Sequence, residues 1–523
     1  MTDYSNRSIP LLPNESWWGG LSALGASMPF RSESTISCDL LNENLGNQAQ
    51  PLLVSNRGRY VWSDHPFHFE FKQGSLHLSK AHSEIHLFEE GNSLKEAFCH
   101  ASRNHFPASG SIPDPILFNA PQYNTWIELM YDQREEKILE YAESIIAAGY
   151  PPGTILIDDN WQEDYGTWEF SARRFSDPKA MIEKLHDMGF KVMLWVCPFV
   201  SADSATCREL AEKHFLHPDE QPTQDILWAN TEFKPALIRW WNGASAMIDL
   251  SNPDAREWFR LSLQKLVDEY GIDGFKFDAG DPAFYSGVPS QNLSFLPTDH
   301  SEQFAAAGLP FAFNEYRACW KMAGQPLVQR LQDKKHKWED LRTLIPCSIA
   351  QGLMGYAFTC PDMIGGGEYL SFLRAENIDQ ELIVRSAQAH ALMPMMQFSL
   401  APWRVLDPEK QAICLEMAKL HTRTAPRILE YAHRSANTGE PIIKSLEWFW
   451  PGRGYDRVVD QFILGEDILV CPVLEKGAES RSVILPPGTW TADDGTRYEG
   501  EQTIQVEAPL DRLPWFEREI EKN

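Results

Sequence analysis

Eight short apolar runs, separated by segments with helical start and stop signals, restrict this chain to very few architectures. They read PQYNTW (121–126), TILIDDNW (154–161), KVMLWVCPF (191–199), DGFKFDAG (273–280), PFAFNEYR (310–317), PLVQRLQD (326–333), MGYAFTCPD (354–362) and LMPMMQFS (392–399). Near-continuous apolar strands are buried on both faces and belong to parallel sheets, whose crossovers are helices. Eight in succession predict an α/β fold, a closed (β/α)8 TIM barrel. An open doubly wound sheet is the alternative, but no GxGxxG follows the first strand.

The helices between these runs are punctuated. In YDQREEKILEYAESIIAAGY, Asp132 is the expected N-cap with Glu135 three residues on, and Ile138, Ala142 and Ile145 share one face. SDPKAMIEKLHDMGF offers Asp177 as cap, Pro178 at the first helical position and Gly189 as stop; Asn252, Pro253 and Gly271 repeat that grammar.

A chain of 523 residues, 43% of them hydrophobic, exceeds one small domain. Residues 1–112 carry alternating stretches such as FHFEFKQGSLHLS, which predict an N-terminal β-sandwich-like domain, and ASGSIPDP (108–115) reads as a linker. The barrel is expected over 113–425, where the helical pattern fades, and an all-β C-terminal domain over 426–523.

A net charge of −26 with no basic stripe repels phosphate backbones and argues against nucleic-acid binding. The N-terminus lacks a basic segment followed by an apolar run, and no stretch approaches the roughly 20 apolar residues of a membrane span. Nine cysteines without CxxC spacing suit free thiols in a reducing compartment, so a cytoplasmic protein is expected. Homo-oligomerisation is left open.

In a barrel of this kind, function gathers at the C-terminal ends of the strands. Those ends carry Trp126, Asp158, Asp159, Trp195, Asp278, Arg317, Asp333 and Asp362. Each buried carboxylate costs desolvation unless partnered, so their convergence on one rim points to a site. Two carboxylates facing a pocket are what glycoside cleavage needs, with aromatic walls for the sugar. In GFKFDAGD, Phe275 and Phe277 take one face of the strand while Lys276 and Asp278 take the other; a structural ion pair and a pocket-facing pair are the two readings. The close histidine pair His65 and His68 lies outside the barrel runs, and there is no HExxH, so no catalytic metal or other cofactor is expected. GxSxG and Walker A motifs are absent.

The ordered set WWGG, LLVSNRGRYVW, TILIDDNW, KVMLWVCPFV, IRWWNGASAMIDLSNPDAREWF, GFKFDAGD, PDMIGG, MPMMQFS and FILGEDILVCPVLEKG resembles glycoside hydrolase family 31, the retaining α-glycosidases, and within it the branch that includes α-galactosidases. The resemblance covers nearly the whole chain. It implies an exo-acting enzyme on a small-molecule α-glycoside, with Asp278 as nucleophile and Asp333 as acid/base; Asp340 is the fallback for the second role. It further implies that Asp158, Asp159, Trp195, Trp241, Lys276 and Arg317 contact the sugar. Where many α-glucosidases of the family carry a sugar-binding histidine, this chain has Ser399, which favours an α-galactoside over an α-glucoside. A sulfoquinovoside would want a cationic cluster. A Schiff-base aldolase acting through Lys276 and a sugar-binding protein without catalysis are the rivals from other classes.

Overall fold

The computed structural model describes residues 6–41, 47–219, 233–373 and 378–519. All eight expected runs form strands of one parallel sheet: β1 (Gln122–Asn124), β2 (Thr154–Ile157), β3 (Lys191–Val196), β4 (Gly274–Phe277), β5 (Phe313–Tyr316), β6 (Gln329–Arg330), β7 (Thr359–Cys360) and β8 (Gln397–Phe398). Their order is β7-β6-β5-β4-β3-β2-β1-β8, and a parallel bridge from Met363 to Gln397 joins the two ends. The sheet is therefore a (β/α)8 barrel.

The strands read as apolar because they are enclosed on both sides. Every residue of β2 is buried, and so is every residue of β4, the lysine included. Phe275 packs edge-on against Phe311 and Phe277 stacks on Tyr316, so the outer face of β4 is aromatic while Lys276 turns inward. Trp195, Lys276 and Glu315 lie side by side across β3, β4 and β5, which sets one level of the barrel interior.

Two of the expected helix starts are realised as capped ends. The Asp177 side chain accepts from Ala180 N ahead of Pro178–Asp187, and Asn252 accepts from Asp254 N and Ala255 N ahead of Pro253–Tyr270. Gly271 closes the second helix at φ +77°, a left-handed conformation that a residue with a Cβ resists. The third start differs. Helix Glu135–Ala147 is preceded by Arg134, not Asp132, and no side chain caps it. Asp132 instead pairs with Arg134 and Lys137, and two cations within reach outweigh one backbone N–H. Ile138, Ala142 and Ile145 are buried on one face as their spacing requires.

The N-terminal segment forms two antiparallel sheets, one containing Arg7–Pro10 and Ser75–Ser79, the other built around Gln48–Ser55. The second sheet is stitched to the barrel. Cys319–Trp320, just beyond β5, pairs in parallel with Gln48 and Ala49. At the other end, helix Pro408–Thr438 runs through Pro426 and extends past residue 425, near which the helical pattern is expected to fade. The β-strands that follow, from Ile443 to Arg518, form a six-stranded and a two-stranded sheet. Among the described residues, no helix is long and apolar enough to cross a membrane.

Candidate active site

The C-terminal ends of the barrel strands enclose a cavity of about 230 Å³. Asp158 and Asp159 reach it from the residues after β2, Trp195 from β3, Lys276 and Asp278 from β4 and its end, Arg317 from the end of β5, and Asp333 from three residues past β6. Trp241 arrives from the long excursion between β3 and β4 and completes the eight residues expected in the sequence. Asp340 is not among the lining residues. It sits in the first turn of helix Trp338–Leu353 and accepts from Lys335 N at 2.7 Å.

Asp278 is the most tightly held carboxylate. Trp195 Nε1 donates to its Oδ2 at 2.7 Å and Ala279 N donates to its Oδ1 at 2.8 Å. Lys276 Nζ stands 4.0 Å from one oxygen and Arg317 Nε 3.7 Å from the other. Burial by itself would raise the pKa of this acid. The charges of Lys276, Arg317 and Arg330, together with the Trp195 hydrogen bond, outweigh burial and bring it down to about 2. Asp278 is thus an anion whose oxygens face the cavity.

Lys276 is paired more closely with Asp158, at 2.7 Å. Burial works against its charge, but Asp158, Asp278 and Glu315 together hold its pKa above the ordinary value, so it is an ammonium ion. Asp159 behaves oppositely to Asp278. Burial, and next the neighbouring Asp158, push its acid up to about 7, although Tyr165 Oη donates to it at 3.1 Å and Asn242 Nδ2 at 2.5 Å.

Arg330 is a residue that motif reading passes over. It is buried, and its guanidinium faces three carboxyl groups: Glu315 at 3.3 Å, Asp333 at 2.5 Å and Asp362 at 3.1 Å. Of the three, Asp333 alone lines the cavity. Glu315 and Asp362 are buried, whereas Asp333 is about one-third exposed toward the cavity. Burial lifts Glu315 above the ordinary carboxylate value and lifts Asp362 to about 6. Asp362 also adopts φ +100°, a backbone strain held in place by its bonds to Arg330 and Lys334 N.

Arg317 is stretched between Asp281, at 3.1 Å, and the face of Trp241, whose centroid is 5.0 Å from the guanidinium carbon. The mouth is aromatic: Trp126, Tyr131 and Tyr369 meet edge to face with centroids 5.2 to 6.3 Å apart, and Glu368 lies beside them. Tyr131, Tyr165, Asn242, Glu368 and Tyr369 escaped sequence reading because they come from excursions, not strand ends. The only sequence signal for them is aromatic and polar residues clustered in long inter-strand segments. Ser399 does not line the cavity; its Oγ accepts from Ile127 N at 2.6 Å. Among the described residues, one group of side chains could hold a metal ion, His217 with Asp249 and His300, and it is separate from the cavity lining.

Comparison with known proteins gives the following. Residues 115–330 match the model of the glycosyl hydrolases family 31 TIM-barrel domain, and residues 439–519 match that of the glycosyl hydrolase family 31 C-terminal domain. The myogenesis-regulating glycosidase of Mus musculus is 32% identical over 423 residues, covering 78% of this chain and 57% of the mouse protein. The SITS-binding protein of Tetronarce californica is 27% identical over 318 residues, 58% of this chain and 44% of that one. The chain thus spans about half the length of these relatives. Among solved structures, a dextranase of Flavobacterium johnsoniae complexed with glucose superimposes with a TM-score of 0.84 at 21% identity, covering 98% of this chain and 66% of the dextranase.

Proposed function

Because the chain belongs to glycosyl hydrolase family 31, we propose that its cavity cleaves α-glycosides with retention of configuration, Asp278 attacking the anomeric carbon and Asp333 protonating the departing oxygen. The observation that carries this reading is that an anionic Asp278 and the Asp333 carboxyl, held by Arg330, line one cavity. In the first step the Asp278 carboxylate displaces the aglycone and forms a glycosyl ester, while a proton passes from Asp333 to the glycosidic oxygen. In the second, Asp333 takes a proton from water, which opens the ester and returns Asp278 to its starting state. Of the three carboxyls that meet the Arg330 guanidinium, Asp333 is the one that lines the cavity, which suits it to exchange a proton with the glycosidic oxygen.

Asp158, Asp159, Lys276 and Arg317 offer charged partners for sugar hydroxyls, and Trp195 and Trp241 offer ring faces. A volume near 230 Å³ is below the roughly 300–1,000 Å³ of drug-sized pockets, which supports a single sugar ring and exo action. We assign an α-galactoside as the substrate, on the strength of Ser399 being occupied by Ile127 N and of the likeness to the branch that includes α-galactosidases. An α-glucoside ranks second. Lys276 and Arg317 are both committed to carboxylates, which disfavours a sulfonated sugar. The same ion pair keeps Lys276 protonated and so unfit as a Schiff-base nucleophile. All nine cysteines are free thiols, which supports a reducing, cytoplasmic location.

The test is turnover of p-nitrophenyl α-galactoside and α-glucoside side by side. Asp278→Ala should abolish hydrolysis, and added azide should yield a glycosyl azide of inverted configuration. Asp333→Ala should spare the activated aryl glycoside more than a natural disaccharide. Full activity in Asp278→Ala removes the proposal, and a preference for glucoside moves the substrate assignment.

A further inference from the structure

We propose that His217, Asp249 and His300 form a binding site for a zinc-like divalent metal ion, which ties the excursion carrying Trp241 to the segment that follows β4. One ligand-capable atom from each residue lies within 4.8 Å of the other two. All three side chains are buried, with exposures of 0%, 0% and 2%.

The hydrogen bonds orient the rings. His217 Nδ1 faces Pro289 O at 2.7 Å and donates to it, which leaves Nε2 bare; that atom has no partner among the described residues. His300 repeats the pattern, with Nε2 2.9 Å from Ser290 Oγ and Nδ1 unpartnered among the described residues. The ring centroids are 4.6 Å apart. Asp249 is aimed by backbone donors, Ser251 N at 3.0 Å on one oxygen and Gln291 N at 2.7 Å on the other. A buried polar atom with nothing to bond is costly, and native folds rarely leave two together. Imidazoles fixed through one nitrogen by a carbonyl or hydroxyl, with the other nitrogen bare, are what metal ligands look like.

The donor set narrows the ion. Two imidazoles and one carboxylate suit zinc and its neighbours, whereas calcium and magnesium take oxygen ligands. Three protein ligands leave a fourth position for water. Bonds of about 2.0–2.2 Å require the three atoms to draw within roughly 4 Å of each other. That small contraction can be taken up by the segment 288–291, which lies outside helices and strands. Tyr285, stacked on His300 at 4.7 Å, walls the cluster.

The position gives the ion a task. His217 follows helix Ala205–Glu212 and Asp249 follows strand Gly243–Met247, both in the excursion between β3 and β4 that presents Trp241 and Asn242 to the cavity. His300 belongs to helix Pro297–Gly308, between β4 and β5. A bound ion therefore cross-links two insertions that sequence separates, independently of which glycoside the cavity takes.

The purified full-length protein, dialysed against metal-free buffer, should retain or take up about one equivalent of zinc per chain by mass spectrometry of the metal. Cobalt(II) in its place should show the visible absorption of a four-coordinate site. His217→Gln, His300→Gln and Asp249→Asn should each weaken zinc binding at least about 100-fold, and zinc should raise the thermal midpoint of the unsubstituted protein but not of the variants. Failure of the unsubstituted protein to bind either zinc or cobalt at equimolar concentration overturns the proposal, since that reading needs no variant to fold. Stoichiometric zinc binding that survives His300→Gln overturns it as well.

Discussion

Lys276 occupies the middle of a strand whose outer face is phenylalanine, and its ammonium answers two carboxylates at once, Asp158 at 2.7 Å and Asp278 at 4.0 Å. Removing one partner of a buried ion pair leaves the other uncompensated. Lys276→Met should therefore leave Asp158 unpaired and let Asp278 take up protons more readily. A fall in kcat/KM of about 10²–10³-fold is expected, with the acid side of the pH profile moving to higher pH. A profile that keeps its acid side unmoved would show that Lys276 does not set the ionisation of Asp278. Asp159 makes a different prediction. Its folded pKa of about 7 lies above the ordinary 3.8, so the folded state holds this proton more tightly than the unfolded chain does. The contribution is stabilising at low pH and is lost as pH rises from about 4 to 7. Asp159→Asn keeps the shape and abolishes the titration, so the difference in urea midpoint between pH 5 and pH 8 should be smaller in the variant than in the unsubstituted protein.

At the scale of elements, β4 and β5 approach so closely at Gly274 that a Cβ there would meet Phe313 O at 1.7 Å. Backbone cannot move aside as a flexible side chain can. Gly274→Ala should destabilise the fold by about 1–3 kcal/mol in urea unfolding and reduce turnover, because Lys276 and Asp278 follow on the same strand. The elements were also the most legible part of the sequence. All eight barrel strands could be read, since burial on both faces leaves an uninterrupted apolar run, and the caps at Asp177 and Asn252 could be read because a short polar side chain before proline has few other uses. Asp132 misled, because the pattern records a capping residue but not the two cations that compete for it. Helix Pro408–Thr438 continues past residue 425, near which the helical pattern is expected to fade. In the site, the eight residues found from motifs share the cavity, whereas Arg330 was invisible: an arginine two residues after a strand's last apolar position carries no mark of the three carboxyls that folding brings to it.

The whole molecule bears on the site through Gln48. This residue lies in the N-terminal domain, yet its side-chain amide donates to Arg317 O at 2.7 Å and Arg330 O at 3.0 Å, and its oxygen accepts from Gln351 at 2.6 Å. Those two carbonyls belong to the residues that anchor Asp278 and Asp333 from opposite sides, through the Arg317 and Arg330 guanidiniums. The parallel pairing of Cys319 and Trp320 with Gln48 and Ala49 holds the amide at this depth, so the N-terminal sheet fixes the distance between β5 and β6 from outside the barrel. Gln48→Leu retains the bulk and deletes every polar contact, leaving the Arg317 and Arg330 carbonyls without this donor, while the Gln351 amide keeps only its bond to Gln329 O at 3.3 Å. Each unsatisfied group costs about 1–3 kcal/mol, so a clear drop in the urea midpoint is expected. If the N-terminal sheet merely adds stability, kcat/KM measured well below the unfolding transition should match that of the unsubstituted protein. If it positions the two arginines, kcat should fall by about tenfold or more with KM little changed, because a misplaced anchor weakens the transition state more than the bound sugar. The second result is the expected one, and an unchanged kcat in a folded Gln48→Leu protein would confine the N-terminal domain to a supporting role.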